Sequence, residues 1–371
     1  MQNRRRSVYI NRLSRLIKQT TARGLDALAL VPGPNLFYLT GLSFHLSERP
    51  VLLLLPAGRG PALVAPGFEA LKAEGAPVEI EIFPYTDEQG HERAFQDACA
   101  ALGLAGCTIG AETFAMRLME ARLLETYAPG CQIVPADDAT AALRMRKDEH
   151  ELAQMRRAIA ITETALRATM RQARVGMTEL EVTALLSAEM LQAGAETIAF
   201  IIVQGGPDAA SPHAVPGDRP IQAGETIIVD CGVTVGGYNS DITRTFAIGE
   251  LEPEMARVYE VVRAANAAGR AVVRPGVPAE TVDQAARAVI EEAGYGEYFI
   301  HRTGHGLGLD VHEPPYIVAG NEQLLEPGMT FTVEPGIYLP GRGGVRIEDD
   351  VLVTPAGAES LTTFPREFVP L

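Results

Sequence analysis

Short apolar runs punctuated by Gly and Pro fill the first 140 or so residues of the chain. LDALALV (25–31), VLLLL (51–55), ALVAP (62–66), VEIEIF (78–83), CTIGA (107–111) and QIVPA (132–136) have strand length. Between them, stretches near 8–23, 91–103 and 114–127 follow helical spacing, and the alternation predicts an α/β domain around a central sheet. In the first helix Ile10, Leu13, Leu16 and Ile17 share one face, while residues 2–25 carry seven Arg or Lys and no acid. Such a segment could also be an organelle presequence, but it runs straight into a strand, which favours a surface helix. No apolar segment follows the arginines to make a secretory signal. From 144 to 173 the pattern changes to one long, charged, helix-periodic stretch with Leu152, Met155, Ile159, Ile161 and Leu166 as its apolar markers. Helices of this kind commonly open a domain, so the boundary is placed to give domains 1–143 and 144–371.

The second domain echoes itself. RVGMTELEVTALLSAEMLQAG from Arg174 and RPGVPAETVDQAARAVIEEAG from Arg274 share six of 21 positions, against roughly one or two expected by chance. AGETIIVDCGV (223–233) likewise parallels PGMTFTVEPGI (327–337), aligning Asp230 with Glu334. Each of these acids is followed by a second one, Asp241 after 11 residues and Glu348 after 14. Hairpins would set each pair side by side, and two pseudo-symmetric hairpins would gather four carboxylates around one point.

Composition narrows the function. With 47 acidic against 32 basic side chains the net charge is −15, which argues against a nucleic-acid surface. The charge is uneven: residues 1–150 are near balance at −1, and residues 151–371 carry −14. Cys99, Cys107, Cys131 and Cys231 form no CxxC pair, which argues against a thiol zinc site or a disulfide framework and fits a reducing cytoplasm. No apolar run reaches the roughly 20 residues of a membrane span.

Asp230, Asp241, Glu334 and Glu348 all sit in apolar, strand-like surroundings, where an isolated carboxylate is costly to bury. Taken singly, a strand-end acid is more often a turn or cap residue than a ligand. Four together could not all ionise without compensation. Arg244 and Arg346 are available, but two guanidiniums do not balance four close carboxylates. Divalent cations would. HRTGHGLGLDVHEPP (301–315) holds His301, His305 and His312, three of only seven histidines. Oxygen ligands with one imidazole describe a carboxylate-rich dinuclear site better than a structural zinc site.

These segments carry a resemblance. HRTGHGLGLDVHEPP, followed by TVEPGIY and VRIEDD and preceded by IIVDCGVTVGGYNSDITRTF, is similar to the pita-bread metallopeptidases, which include methionine aminopeptidase, aminopeptidase P and prolidase. The likeness runs from about 150 to the end, with all five ligand types in order. RLIKQTTARGLDALALVPGPNLFYLTG resembles the smaller α/β domain of the proline-specific members and creatinase, a domain methionine aminopeptidases generally lack. The resemblance implies a creatinase-like α/β domain followed by a pita-bread domain with pseudo-two-fold duplication. It also implies two divalent ions, Mn first and Co or Zn as alternatives, and a homodimer. Asp230 would hold one metal, His305 and Glu334 the other, with Asp241 and Glu348 bridging. Glu334 would also shuttle a proton from the metal-bridging water, whose hydroxide would be the nucleophile. His213, in VQGGPDAASPHAVPG, would contact the scissile peptide group, and His312 the substrate carbonyl or the oxyanion. His301, Tyr338 and Arg346 would stand behind the ligands, with Arg346 orienting a carboxylate. The implied substrates are Xaa-Pro dipeptides, or short peptides with proline second. Tyr316 stands where some prolidases carry an arginine for the substrate carboxylate, so Arg342 or another arginine would have to serve. Two other readings share the fold, a metal-free creatinase-like C–N hydrolase and a non-catalytic binding protein. The complete ligand set argues against both.

Overall fold

The chain was analysed as a computed structural model that describes residues 2–212 and 214–368. It divides into two compact units, Met1–Arg144 and Met145–Leu371.

The first unit runs α1 (Gln2–Ala22), β1 (Ala27–Leu30), α2 (Pro34–Thr40), β2 (Leu52–Pro56), β3 (Ala62–Pro66), α3 (Gly67–Glu74), β4 (Glu81–Tyr85), α4 (Glu92–Leu102), β5 (Thr108–Ala111), α5 (Leu118–Tyr127), β6 (Gln132–Pro135) and α6 (Asp137–Arg144). Its six strands form one mixed sheet in the order β4-β3-β2-β1-β5-β6. The central strands are continuous apolar runs because both faces are covered, and every residue of β1, β2 and β3 is buried. The edge strands β4 and β6 are half-exposed, which is why β4 tolerates Pro84. VEIEIF thus yields a strand only from Glu81, where parallel pairing begins opposite Ala62, and Val78 turns into the interior before it. Helices α2, α3 and α6 escape a reading by periodicity because each spans only two turns or so.

The second unit opens with α7 (Glu149–Gln172) and α8 (Glu179–Gln192), followed by β7 (Thr197–Gly205), β8 (Ile227–Val235), β9 (Tyr238–Asn239) and β10 (Ile242–Phe246). The second half repeats the plan with α9 (Pro253–Ala271), α10 (Ala279–Glu292), β11 (Gly304–Gly306), β12 (Glu313–Ile317) and β13 (Thr330–Val333). A two-stranded ribbon, β14 (Gly336–Leu339) and β15 (Gly343–Arg346), precedes β16 (Asp349–Thr354) and β17 (Gly357–Ser360). The long helix starts at Glu149 rather than 144, because Asp148 and Glu151 form a reciprocal capping box there. Ahead of it, the backbone instead docks on the second half, with Lys147 N–H donating to Gly328 O. Thr178 and Glu181 cap α8 in the same way.

The two echoing sequence segments become α8 and α10, each 14 residues long. Helices α7 and α8 cover the sheet β10-β8-β7, burying Met155, Ile159, Leu186 and Met190 against Val203, Val229 and Ile242. The other half is a five-stranded sheet, β12-β11-β13-β16-β17. Thr245 ties the halves together, accepting from Arg346 N–H at 3.0 Å and donating to Arg346 O at 2.9 Å.

Candidate metal centre

Asp230 lies in the middle of β8, and antiparallel pairing sets Thr243 of β10 opposite it, so Asp241 falls one step beyond the strand. In the other half Glu334 follows β13 and Glu348 precedes β16, whose register pairs Val333 with Asp349. Both hairpins therefore deliver their two acids at matching ends. His305 enters from β11, a strand squeezed between β12 and β13. A Cβ on Gly304 would overlap the Thr332 carbonyl and one on Gly306 the Pro314 carbonyl, so only glycine lets the backbone come this close on either side of the imidazole.

These elements bring the side chains together. Ligand atoms of Asp241, His305 and Glu348, all buried, lie within 4.8 Å of one another. His305 Nε2 stands 3.3 Å from Glu334 Oε1 and 3.7 Å from Asp241 Oδ2. Its Nδ1 faces the Gly306 carbonyl at 3.1 Å and must carry the proton, which leaves the Nε2 lone pair turned toward the carboxylates. Burial, reinforced by His312, holds this imidazole down at about 3, so it is neutral near pH 7.

The carboxyls move the other way. Burial, then Glu348 and Asp230, push Asp241 well above the usual range, and burial with Glu334 and Asp230 does the same to Glu348. Burial raises Glu334 to about 7 against the opposing pull of Arg346. Asp230 Oδ1 and Glu348 Oε1 are buried and, among the described residues, have no hydrogen-bond partner. Unsatisfied buried carboxylate oxygens are expensive, and a divalent cation is the partner that fits several converging on one neutral imidazole. The residues present therefore suit the metal set the sequence implied.

The supporting groups are specific. Arg346 donates to Asp230 Oδ2 at 2.7 Å, to the Tyr338 hydroxyl at 2.8 Å and to Thr243 Oγ1 at 3.2 Å. Burial alone would depress this guanidinium, yet Tyr338, Asp230 and the two glutamates keep it firmly charged. The Tyr338 hydroxyl, itself raised by burial to about 12, lies 2.8 Å from His301 Nε2, while His301 Nδ1 faces Arg302 O at 2.7 Å. Thr243 donates to Glu348 Oε2 at 2.5 Å. Thr332 accepts from His305 N–H and donates to Glu334 Oε1, both at 3.2 Å.

Other groups were not legible in the sequence. Asp350 accepts from Asp241 N–H at 3.2 Å. Asp283 accepts from both N–H and Oγ1 of Thr303, whose carbonyl receives Glu334 N–H at 2.8 Å. Arg244, considered as a counter-charge for the four acids, serves elsewhere. It pairs with Asp349 at 2.8 Å, and with Arg366 and Arg270 it holds that carboxyl well below its usual range despite burial. Arg342 pairs with Glu252 and Glu254 and does not line the site.

A cavity of about 360 Å³ opens on the cluster. Its walls include Phe200, Ile202, Pro212 and Val311 on the apolar side, and His301, Arg302 and His312 on the polar side. His312 is exposed, its ring 4.0 Å from that of His305. Tyr316 is not among the lining residues; it lies opposite His305 in the β11–β12 register, with the Arg302 guanidinium 4.6 Å above its ring. His213 lies outside the described residues. Its neighbours are held from below, because Gln204 donates to Ser211 O and Ala214 O at 2.8 and 2.9 Å. Glu179 accepts from Gly205 and Gly217 N–H at 2.7 and 2.9 Å, closing the base of that loop.

Comparison with known proteins places these features. The sequence profile of metallopeptidase family M24 matches residues 153–355, and that of the creatinase/prolidase N-terminal domain matches residues 12–146. "Probable dipeptidase PepE" of Mycobacterium tuberculosis is 40% identical over 98% of this chain and 96% of its own length. The crystal structure of dipeptidase PepE from Mycobacterium ulcerans has a TM-score of 0.92 at 39% identity, covering 99% of both chains. A prolidase structure from Thermococcus sibiricus gives a TM-score of 0.93 at 34% identity, over 98% of this chain and 99% of that one.

Proposed function

This chain belongs to metallopeptidase family M24, and from that premise we propose that it hydrolyses the Xaa-Pro bond of dipeptides and short peptides. Its second unit has the pita-bread fold and its first the creatinase/prolidase N-terminal fold. The observation that carries the proposal is a pair of buried oxygens, Asp230 Oδ1 and Glu348 Oε1, that have no hydrogen-bond partner among the described residues and lie amid four carboxylates and an imidazole lone pair. Asp230, Asp241, His305, Glu334 and Glu348 would hold two divalent cations, with Mn the first choice for so oxygen-rich a set. Bound there, such a pair supplies Lewis acidity for the scissile carbonyl and acidifies water near neutral pH.

The chain's own groups complete the chemistry. The carboxylate cluster attracts the free α-amine, so the first peptide bond is the one placed over the ligands. Glu334 Oε1, at the cavity wall, accepts a proton from water and returns it to the leaving nitrogen. His312 reaches the substrate carbonyl, where negative charge develops. His213 would serve the peptide group from the loop that Gln204 and Glu179 anchor. The apolar wall of Phe200, Ile202 and Val311 suits a pyrrolidine ring, which supports a preference for proline.

Protein stripped with a chelator and reloaded with Mn, Co or Zn tests this directly. Cleavage of Xaa-Pro dipeptides should return with metal and vanish in the Asp241→Ala variant. Full activity in the stripped protein would overturn the metallopeptidase reading. Equal rates on Xaa-Ala and Xaa-Pro dipeptides would overturn the proline preference alone.

A further inference from the structure

The acids of the two hairpins are not held alike. Asp230 is fastened inside the β8–β10 ladder, opposite Thr243. Glu334 and Glu348 stand just past the last rung of theirs, where Val333 faces Asp349 and the chain leaves for the ribbon β14–β15. Something other than the ladder must fix their spacing.

Helix α9 supplies it. Asn266 is fully buried on the inner face of that helix, beside Val262 and Ala265. Burying an amide is costly unless its donors and acceptor are used, and here they are. Nδ2 donates to Val333 O at 2.9 Å and to Ile347 O at 3.2 Å, while Oδ1 accepts from Arg270 Nε at 2.8 Å. Val333 and Ile347 are the residues immediately ahead of Glu334 and Glu348. The same two peptide groups are held at their other ends, Glu334 N–H by Thr303 O at 2.8 Å and Glu348 N–H by Thr243 O at 3.1 Å. Each peptide plane that aims a glutamate is thus pinned at both carbonyl and amide, and Asn266 serves the two together. The helix comes this close because residue 269 is glycine, where a Cβ would stand 3.0 Å from Val333 Cγ1.

The internal duplication shows that the fold alone does not demand this amide. Counting back from the aligned Arg174 and Arg274 sets Leu166 and Met170 of α7 at the places of Asn266 and Arg270. Both are apolar core residues. The half whose first acid sits within its ladder makes do with leucine, and the half whose acids lie beyond the ladder carries the asparagine.

We propose that Asn266 is a positioning residue that sets Glu334 against Glu348, and so decides whether the site takes up two divalent cations or one. The inference rests on the metallopeptidase reading above and adds to it the group that fixes the spacing of the two glutamates. Asn266 touches neither cation nor substrate and acts through the peptide groups it holds.

The test is calorimetric titration of the stripped full chain with Mn, with no peptide present. The parent should take up two ions. In Asn266→Leu, which copies the first half, one ion should still bind while affinity for the other falls about 10- to 100-fold. Asn266→Asp is equal in size and can still accept from Arg270, but it loses the donors and should show the same selective loss. Low-temperature electron paramagnetic resonance at two equivalents of Mn gives a second readout. The parent should show the spin-coupled signal of adjacent ions, and both variants the signal of isolated Mn. Unfolding midpoints in chelator monitor the fold. A folded variant with two ions, parental affinities and the coupled signal would overturn the assignment. Equal weakening of both ions, or failure of both variants to fold, would also overturn it, since each marks a general structural role. The parent's own titration judges the dinuclear reading, which falls and takes this inference with it if fewer than two ions bind; the variants judge Asn266 alone.

Discussion

Each of the candidate ligands depends on a partner that the sequence does not place beside it. Arg346 is the clearest case, since one side chain orients Asp230, Tyr338 and Thr243 through three separate donors. Lysine could not reproduce that fork. Arg346→Met should weaken metal binding about 10- to 100-fold, the range seen when groups orienting a ligand are lost. Calorimetric titration with Mn measures the effect, and unchanged affinity would show that Asp230 orients itself. The acids and histidines were legible because carboxylates in β-branched runs are out of character there. Thr243, Asp283 and Asp350 were not, because a threonine or a lone acid acquires a role only through neighbours about 20 to 109 residues away.

Strands rather than helices set the geometry of the site, and one buried ion pair secures the strand that follows His312. Lys147 Nζ and Glu313 Oε1 are 2.6 Å apart, with side chains 1% and 5% exposed. A Cβ on Gly308 would press on both, so the turn carrying Leu307–Leu309 is packed directly over the pair. Removing one partner strands a charge in the interior, so Lys147→Met should cost about 3–5 kcal/mol in urea unfolding. Lys147→Met combined with Glu313→Leu should recover most of that loss, because the uncompensated charge is gone. A single variant as stable as the parent would mean that water or another group replaces the lysine. At this scale the sequence read well where elements are long. The duplicated segments map onto α8 and α10, and the apolar runs of the first unit onto its sheet. Short helices such as α2 and the late start of α7 depended on a proline position and a capping box rather than on periodicity.

Across the whole molecule, the charge asymmetry and the site belong to one balance. The candidate ligands all lie in Met145–Leu371, within the stretch of excess acid. In the unfolded chain Asp241, Glu334 and Glu348 would ionise near pH 4. Folded without metal they hold protons to higher pH, Glu334 to about 7 and the other two well above their ordinary values. A raised carboxyl favours the folded state while both states are protonated. That advantage drains away as pH rises from the unfolded value through the folded one, because only the unfolded chain releases its proton early. The metal-free protein should therefore lose stability as pH rises above about 4, with the share of Glu334 spent by about pH 7. Cations must displace those protons, so metal affinity should rise with pH over the same window, and binding should release protons into the buffer. Above pH 7 saturating metal should restore the loss, by about 2.7 kcal/mol at a hundredfold excess over Kd. Unfolding midpoints measured with and without chelator from pH 5 to 8 give the slope. Heats of Mn binding in buffers of different ionisation enthalpy count the protons. If no protons are released and stability is flat with pH, the carboxylates are already ionised, held by a counter-charge other than metal.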